Sequence, residues 1–231
     1  MTTLDRPTYA PIVAARLVGL STDRVRRWLH GYSRTYPIRS GEVRTSRKKP
    51  VVRRDGAESS TFASFLDVVD LLFVKRFLDY GIPLQRLRKA LDEAASILHG
   101  HHFAQRSFFT DGRSIYLQIK SAPNADALLE LLSNGQWVIA PVIRSVAHQI
   151  DFHDQSGLAE RWFPLGRDKP VVIDPEIAFG APSILGRGIK TANVYDFFRA
   201  EGEHLDSVSS WLKLSSLEVQ AAVEFECQLA A

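Results

Sequence analysis

Cysteine is almost absent from this sequence of 231 residues, in which Cys227 is the single example. One cysteine excludes an internal disulfide framework and a cysteine-rich zinc site. Long apolar runs are also missing, since no stretch approaches the roughly 20 apolar residues of a membrane span. Residues 1–11 lack the apolar core of a signal peptide. We therefore expect a protein of the reducing cytoplasm with no membrane segment.

Acidic residues are scarce in the first quarter of the chain. Residues 1–54 hold thirteen Lys and Arg against three acids, a balance of +10, whereas residues 55–231 hold sixteen against twenty-three, a balance of −7. The overall charge of +3 hides this division. A basic segment on an acidic body indicates that the segment meets a polyanion, and a solvated basic face is the alternative.

Residues 9–30 are predicted to form two short helices around a tight turn. Gly19 is suited to end the first helix, because glycine tolerates the left-handed conformation found there. Ser21 is a natural N-cap for the second helix. On that helix apolar residues recur every three or four positions and form one side. Asp23, Arg26 and Arg27 lie on the opposite, polar side. Two helices with a glycine turn and a basic outer face are typical of a helix-turn-helix.

Residues 31–54 change in character, since proline and glycine interrupt helices there and valines suggest short strands, including one at Val51-Val52. A basic β-hairpin directly after a helix-turn-helix would be a DNA-binding wing, and a flexible basic loop is the alternative. The positive charge comes from Arg34, Arg39, Arg44, Arg47, Lys48, Lys49, Arg53 and Arg54. From the second helix and the wing together, we expect these residues to bind operator DNA: Thr22, Asp23, Arg24, Arg26, Arg27, Trp28, Arg47, Lys48, Lys49 and Arg53.

The remaining pattern predicts an α+β fold in three parts. The head, residues 1–98, adds two amphipathic helices over 62–80 and from Pro83 onward. The middle, 99–170, is mixed α/β, with a hairpin at Asp111-Gly112 and strands over 137–143 and 146–152. The tail, 171–231, is a strand, a glycine-proline loop over 179–190 and three helices, the first capped by Thr191 and the last by the capping box of Ser215 and Glu218.

No pattern of catalytic or metal-binding residues stands out. The cluster His99, His101 and His102 and the segment Asp151–Asp154 lack the helical spacing or cysteine partners of a specific metal site. The loop over 180–191 fails the spacing of a phosphate loop, because Pro182 intrudes and no lysine follows Gly186. We therefore expect no enzyme activity, no metal and no cofactor, and an enzyme that uses the histidines is a rival reading.

Two segments bear resemblance to known families. Residues 9–21, followed by Arg24-Val25-Arg26-Arg27-Trp28, resemble the start of MerR-like winged helix-turn-helix domains, and the likeness covers about residues 7–98. The tail motif over 172–182, then Gly186-Arg187-Gly188-Ile189-Lys190-Thr191 and residues 221–225, resembles a small helical domain of antitoxins that are often encoded beside a PIN-like ribonuclease toxin. Together the two segments resemble a VapB-type antitoxin with a MerR-like head.

This resemblance implies a protein that neutralises a PIN-like ribonuclease toxin and represses its own operon. The candidate toxin-binding residues are Arg187 and Lys190 in the tail loop, and apolar contacts of the tail helices or the middle are the alternative. We expect a homodimer or a toxin–antitoxin hetero-oligomer, because two-fold operators favour two-fold proteins. Its candidate contacts are Trp211, Val219, Val223 and Leu229. The rival function is a MerR-like effector-responsive transcription regulator without a toxin partner.

Overall fold

The structure, a computed structural model, describes residues 3–38, 42–52, 54, 60–94, 104, 146 and 148–230. Helices and small antiparallel sheets are mixed along this part of the chain, so the fold is α+β as predicted. Several sequence-based predictions concern residues outside the described ones. They are the hairpin at Asp111-Gly112, the strand over 137–143, the DNA-binding assignment of Arg53 and the cluster of His99, His101 and His102.

Two helices and a glycine turn open the fold, as predicted. Helix α1 spans Pro11–Val18 and helix α2 spans Thr22–His30. Gly19 follows α1 with a φ of +67°, and the Ser21 hydroxyl accepts a hydrogen bond from the Arg24 backbone N–H at 3.3 Å. This bond satisfies one of the free N–H groups that begin every helix.

An antiparallel hairpin follows α2. Strand β1 spans Tyr32–Pro37 and β2 spans Val43–Lys48, with Tyr32 opposite Lys48 and Pro37 opposite Val43. The predicted strand at Val51-Val52 is wrong, because these residues form a bend whose N–H groups both donate to the Trp28 carbonyl, at 2.7 and 3.1 Å. The bend is buried and attaches the base of the hairpin to the end of α2.

Gly31 connects α2 to the hairpin and has a φ of +72°. A Cβ at this position would overlap the Lys48 carbonyl oxygen and lie 3.1 Å from the Pro50 nitrogen. We expect Gly31→Ala to lower the free energy of unfolding by about 2 kcal/mol, through left-handed strain and overlap together. Gly81→Ala is the matched control: its φ is +85° but no atom lies within 4 Å of its Cβ position, so strain alone should give about 1 kcal/mol. Equal losses in denaturant titrations would contradict the overlap argument.

Two further helices complete the head, α3 over Phe65–Asp79 and α4 over Leu84–Ala94. Helix α3 begins at Phe65 rather than at the predicted Phe62, because Ser64 is its N-cap and forms a capping box with Asp67. Most of α3 is buried on every side, so it is the central element of the core.

Arg54 is buried, which corrects its assignment to the basic surface of the wing. Its Nε donates to the Asp67 carboxylate at 3.0 Å, and its terminal nitrogens donate to the carbonyls of Ser60 at 2.7 Å and Phe62 at 2.5 Å. The side chains of Arg54 and Asp67 are 2% and 1% exposed. This guanidinium therefore holds the chain before α3 against the first turn of that helix.

The second half of the described chain contains short strands and three helices. Two strand pairs are antiparallel: β3, Ile150–Phe152, with β4, Ala159–Trp162, and β5, Val171–Val172, with β6, Ser183–Ile184. Of the strand predicted over 146–152, the last three residues form β3, and the described residues Val146, His148 and Gln149 are not part of a strand. The tail helices are α5, Thr191–Ala200, α6, Leu205–Leu212, and α7, Ser216–Ala230.

The capping predictions in the tail have two outcomes. The capping box is confirmed, because the Ser215 N–H donates to the Glu218 carboxylate at 2.7 Å and the Glu218 N–H donates to the Ser215 hydroxyl at 3.3 Å. The prediction that Thr191 caps α5 is wrong, since the N-cap is Lys190 and no side chain closes that end. The Thr191 hydroxyl instead donates to the Pro182 carbonyl and to Glu226 of α7.

Helix α7 packs against two apolar clusters. Its Ala221 and Phe225 belong to the main core, which also includes α1, α2 and α3. Its Val219 and Ala222 belong to a smaller tail core with Ile184, Val194, Val208 and Leu214. Lys169, which precedes β5, forms an ion pair with Glu224 of the same helix. The tail is therefore packed directly onto the head. Within the part of the chain that the structure describes, no helix combines the length and apolarity of a membrane span.

Candidate functional site

The outer face of α2 carries three exposed arginines, Arg24, Arg26 and Arg27. The Arg26 Nη1 lies 3.7 Å from the Asp23 Oδ1, and the two side chains are 62% and 74% exposed. An ion pair so exposed contributes at most about 1 kcal/mol, so Arg26 can exchange Asp23 for another anion. Thr22, the first residue of α2, is partly exposed beside them.

Aromatic rings support two of these arginines. The Arg24 guanidinium carbon lies 5.9 Å from the centre of the Trp28 ring, and that of Arg27 lies 5.6 Å from the centre of the Tyr32 ring. These cation–π contacts hold the guanidinium groups on the surface of the helix. Trp28 itself is 3% exposed. A residue so buried offers DNA little surface, so we interpret Trp28 as a support for Arg24 rather than as a direct contact.

The hairpin has two faces of different chemistry, because residues alternate along a strand and paired residues share a face. One face holds hydroxyl side chains, Pro37, Val43 and Arg47, whereas the other combines aromatic and basic groups. The second set, which we call the basic–aromatic face, is Tyr32, Arg34 and Tyr36 on β1 with Lys48, Ser46 and Arg44 on β2. Arg47 and Lys48, predicted together as DNA-binding residues, thus lie on opposite faces.

Five of the six members of the basic–aromatic face, all except Lys48, were missed as site residues, although the sequence carried a signal for those on β1. Tyr32, Arg34 and Tyr36 recur at every second position, which is the period of one strand face. Arg44 opposes Tyr36 only because the register is fixed by the turn. All six residues of β1 are exposed, so this face is accessible along its length.

The last residue of α2 adds little positive charge to the surface. Burial lowers the pKa of His30 below its usual value, and the positive charge of Arg54 lowers it further, while a backbone hydrogen bond involving Thr61 and the charge of Asp67 act in the opposite direction. His30 is therefore mainly neutral near pH 7. The positive potential of α2 comes from its arginines.

A cleft of about 360 Å³ lies where α2, the hairpin and α4 meet. The Arg88 side chain of α4 donates a hydrogen bond to the Lys49 carbonyl just after β2, so α4 also supports the base of the hairpin. The cleft is lined by Ser21, Asp23, Arg24, Arg27, Trp28, Tyr32, Leu84 and Arg88.

In the tail loop, residues 179–190, the two predicted toxin-binding residues have different surroundings. The Arg187 Nε lies 3.2 Å from the Glu218 carboxylate, whose side chain is only 13% exposed. Burial alone would raise the pKa of Glu218, but hydrogen bonds from Ser215 and the charge of Arg187 outweigh it and lower that pKa. Arg187 therefore supports the cap of α7. Lys190 is exposed at the start of α5.

The tail also exposes two large aromatic side chains. Phe179 is 81% exposed and Trp211 is 72% exposed. Phe179 and its neighbour Ala178 both have positive φ angles, of 58° and 51°. A non-glycine residue with a left-handed backbone conformation carries conformational strain of about 1–3 kcal/mol. Residues strained in this way cluster at functional sites.

Tyr9 fixes this strained segment against the head. Its hydroxyl donates to the Gly180 carbonyl at 2.9 Å, and a Cβ at Gly180 would overlap the Tyr9 hydroxyl oxygen. Burial raises the pKa of Tyr9 far above its usual value, and the negative charge of Asp174 adds to this rise. Burial likewise raises the pKa of Asp174. Among the described residues, including Asp151–Asp154, no three His, Cys, Asp or Glu side chains are grouped to hold a metal ion.

Comparison with known proteins gives relatives of two kinds. No protein-family model matches the chain. It is 24% identical over 205 residues to a protein of Mycobacterium tuberculosis named "Putative antitoxin VapB45", across 85% of this chain and 84% of that protein. It is 31% identical over 120 residues to two uncharacterized HTH-type transcriptional regulators, Rv1830 of M. tuberculosis and Mb1861 of Mycobacterium bovis, across 49% of this chain and 51% of each.

The fold also occurs in a solved structure. The crystal structure of Rv2018 from M. tuberculosis matches with a TM-score of 0.66 over 95% of this chain and 99% of that chain. The identity is 22%, so this likeness concerns the fold.

Proposed function

We propose that this protein is a DNA-binding antitoxin of the cytoplasm, which represses its own operon through the head and neutralises a PIN-like ribonuclease toxin through the tail. The observation that carries the proposal is the exposed arginine face of α2 beside the basic–aromatic face of the hairpin. The similarity to VapB45 and to HTH-type regulators supports an antitoxin or DNA-binding regulator.

In this proposal α2 enters the major groove of operator DNA as the recognition helix of a MerR-like winged helix-turn-helix. The first residues of a recognition helix read base edges, which assigns Thr22, Asp23 and Arg26 to base contacts. The hairpin acts as the wing, where basic side chains contact phosphates and fix the register of the complex. Gel-shift titrations with DNA from upstream of the gene test this half of the function.

The toxin half rests on local rather than overall charge. A metal-dependent ribonuclease holds Mg²⁺ with carboxylates, and the acidic body, at −7 over residues 55–231, would not be drawn to such a site. A local group must therefore make the contact. Since Arg187 is paired with Glu218, Lys190 is the more available basic candidate. Phe179 and Trp211 provide the apolar alternative, and aromatic anchors are frequent hot spots of interfaces.

We expect Phe179→Ala to weaken toxin binding more than the Arg187→Ala, Lys190→Ala double variant. Loss of one buried aromatic anchor typically changes affinity by about 2 kcal/mol, or roughly 30-fold. The measurement is co-purification with the ribonuclease encoded beside the gene, followed by inhibition of its activity. If the charge variant alone abolishes inhibition while remaining folded, the apolar assignment is wrong and the basic groups occlude the active site.

We also propose that the protein dimerises, although its contacts differ from those first expected. Val219 is fully buried in the tail core of its own chain, and Val223 and Leu229 pack against the two cores. Val219 is therefore closed to a partner while the tail keeps this packing, whereas Val223 and Leu229 are partly exposed. Trp211 is the most exposed candidate contact of the original set. Light scattering at micromolar concentration, with and without DNA, measures the state.

A further inference from the structure

We propose that the cleft between α2, the hairpin and α4 binds the phosphate ester of a nucleotide, with Arg88 as the third arginine of the site. The phosphate has two possible sources, a DNA backbone or a free nucleotide. For the DNA backbone, the proposal rests on the DNA-binding function proposed above and deepens it. Both sources present the same chemistry, an anionic phosphate next to a flat base.

The charge of the lining favours an anion. Three arginines, Arg24, Arg27 and Arg88, face one aspartate, Asp23. That aspartate lies 3.7 Å from Arg26, which is outside the lining. Its charge is therefore shared with a residue beyond the cleft.

The arrangement of the arginines suits a phosphate in particular. The planar guanidinium fork matches two phosphate oxygens at once, and a cation–π contact with an aromatic ring restrains it before binding. The guanidinium carbons of Arg24 and Arg27 lie 5.9 and 5.6 Å from the centres of the Trp28 and Tyr32 rings. Ser21 also lines the cleft as the N-cap of the nine-residue helix α2, where the helix dipole adds to the positive potential.

The size and the remaining side chains indicate a nucleotide. A volume of about 360 Å³ is at the lower end of the range for small-ligand sites. Tyr32 is 38% exposed and, with Leu84, offers an apolar surface on which a base or sugar can rest. Arg88 joins α4 to the end of the hairpin through the Lys49 carbonyl, so an occupied cleft bridges three elements of the head.

The experiment compares full-length wild type with Arg88→Gln, which removes the charge. Duplex affinity is measured across a range of salt concentrations, and titration calorimetry with adenosine monophosphate measures the free-nucleotide source. If the phosphate comes from DNA, Arg88→Gln should lower affinity about tenfold and make the slope of log K against log salt shallower by about 0.9. If it comes from a free nucleotide, adenosine monophosphate should bind wild type and bind Arg88→Gln about tenfold more weakly.

Two further variants separate binding from support of the hairpin. Arg88→Lys keeps the charge, so its slope of log K against log salt should be close to that of wild type. Arg86→Gln removes the same charge from the same helix, but Arg86 is not part of the cleft lining, because two positions turn a helix by about 200°. Its effect should be smaller than that of Arg88→Gln in both titrations.

The proposal is overturned if Arg88→Gln leaves the salt slope unchanged and adenosine monophosphate does not bind wild type. It is also overturned if Arg88→Gln and Arg88→Lys weaken DNA binding equally with no change in slope, since Arg88 would then only support the hairpin. In both cases wild-type DNA binding leaves the proposed function intact. If wild type binds no DNA but binds the nucleotide through Arg88, the proposed DNA binding fails and the cleft assignment stands.

Discussion

Replacing Arg54 by methionine is expected to lower the free energy of unfolding by about 3–5 kcal/mol, the largest effect of any single substitution considered for this chain. The guanidinium is almost fully buried and donates to Asp67 and to the carbonyls of Ser60 and Phe62. Methionine fills similar volume but donates no hydrogen bonds. The Asp67 carboxylate would then remain buried without its guanidinium partner, which is the main source of the loss.

Two variants make this measurement specific. Lys75→Met removes the partly exposed pair with Asp79, whose charged atoms lie 2.6 Å apart, and should change stability by less than about 1 kcal/mol. Adding Asp67→Asn to Arg54→Met should recover part of the loss, because it removes the buried charge that has lost its guanidinium partner. Denaturant unfolding followed by circular dichroism measures all three. A loss below about 1 kcal/mol for Arg54→Met would contradict the assignment of Arg54 to the core.

The double variant Arg26→Ala, Arg27→Ala is expected to lower affinity for operator DNA roughly 100- to 1,000-fold. Each arginine at a base or phosphate contact contributes about 1–3 kcal/mol. Both side chains are exposed on α2, so their removal should leave the folded state intact. The measurement is equilibrium binding to a labelled operator duplex at one salt concentration.

The matched control for this variant removes the same charge from the tail. Arg199 and Lys213 are both exposed, on α5 and directly after α6. The double variant Arg199→Ala, Lys213→Ala should bind DNA within about threefold of wild type, since neither residue belongs to α2 or the hairpin and salt screens exposed charges beyond about 10 Å. If both double variants bind alike, overall charge rather than α2 determines the affinity.

Local sequence patterns predicted the elements whose cause is local. Gly19 and Ser21 mark the turn between α1 and α2, and the capping box of Ser215 and Glu218 marks the start of α7. Each depends on residues within about four positions, which a sequence displays directly. A basic hairpin after α2 was also predicted, but of its strands only the one that begins at Val43 had been indicated, since Val51-Val52 is a bend and β1 lacked a strand prediction. The register and faces of the hairpin depend on the turn.

Features that depend on distant residues could not be predicted in this way. Arg54 belongs to a basic run in sequence, and only the fold brings it to Asp67 and buries it. Thr191 has the chemistry of an N-cap, but packing against α7 directs its hydroxyl to Glu226. The positive φ of Phe179 has no sequence signal, because it arises beside the hydrogen bond between Tyr9 and Gly180, 171 positions apart.

The salt dependence of duplex binding tests the central claim, that the head contacts DNA phosphates through α2 and the hairpin, most directly. Residues 22–38 and 42–49 carry eight Lys and Arg, and contact by about six of them gives a slope of log K against log salt near −5. We expect that slope between about 50 and 200 mM salt for the full chain on DNA from upstream of its gene. A slope shallower than about −2, or no binding at the lowest salt, would contradict it.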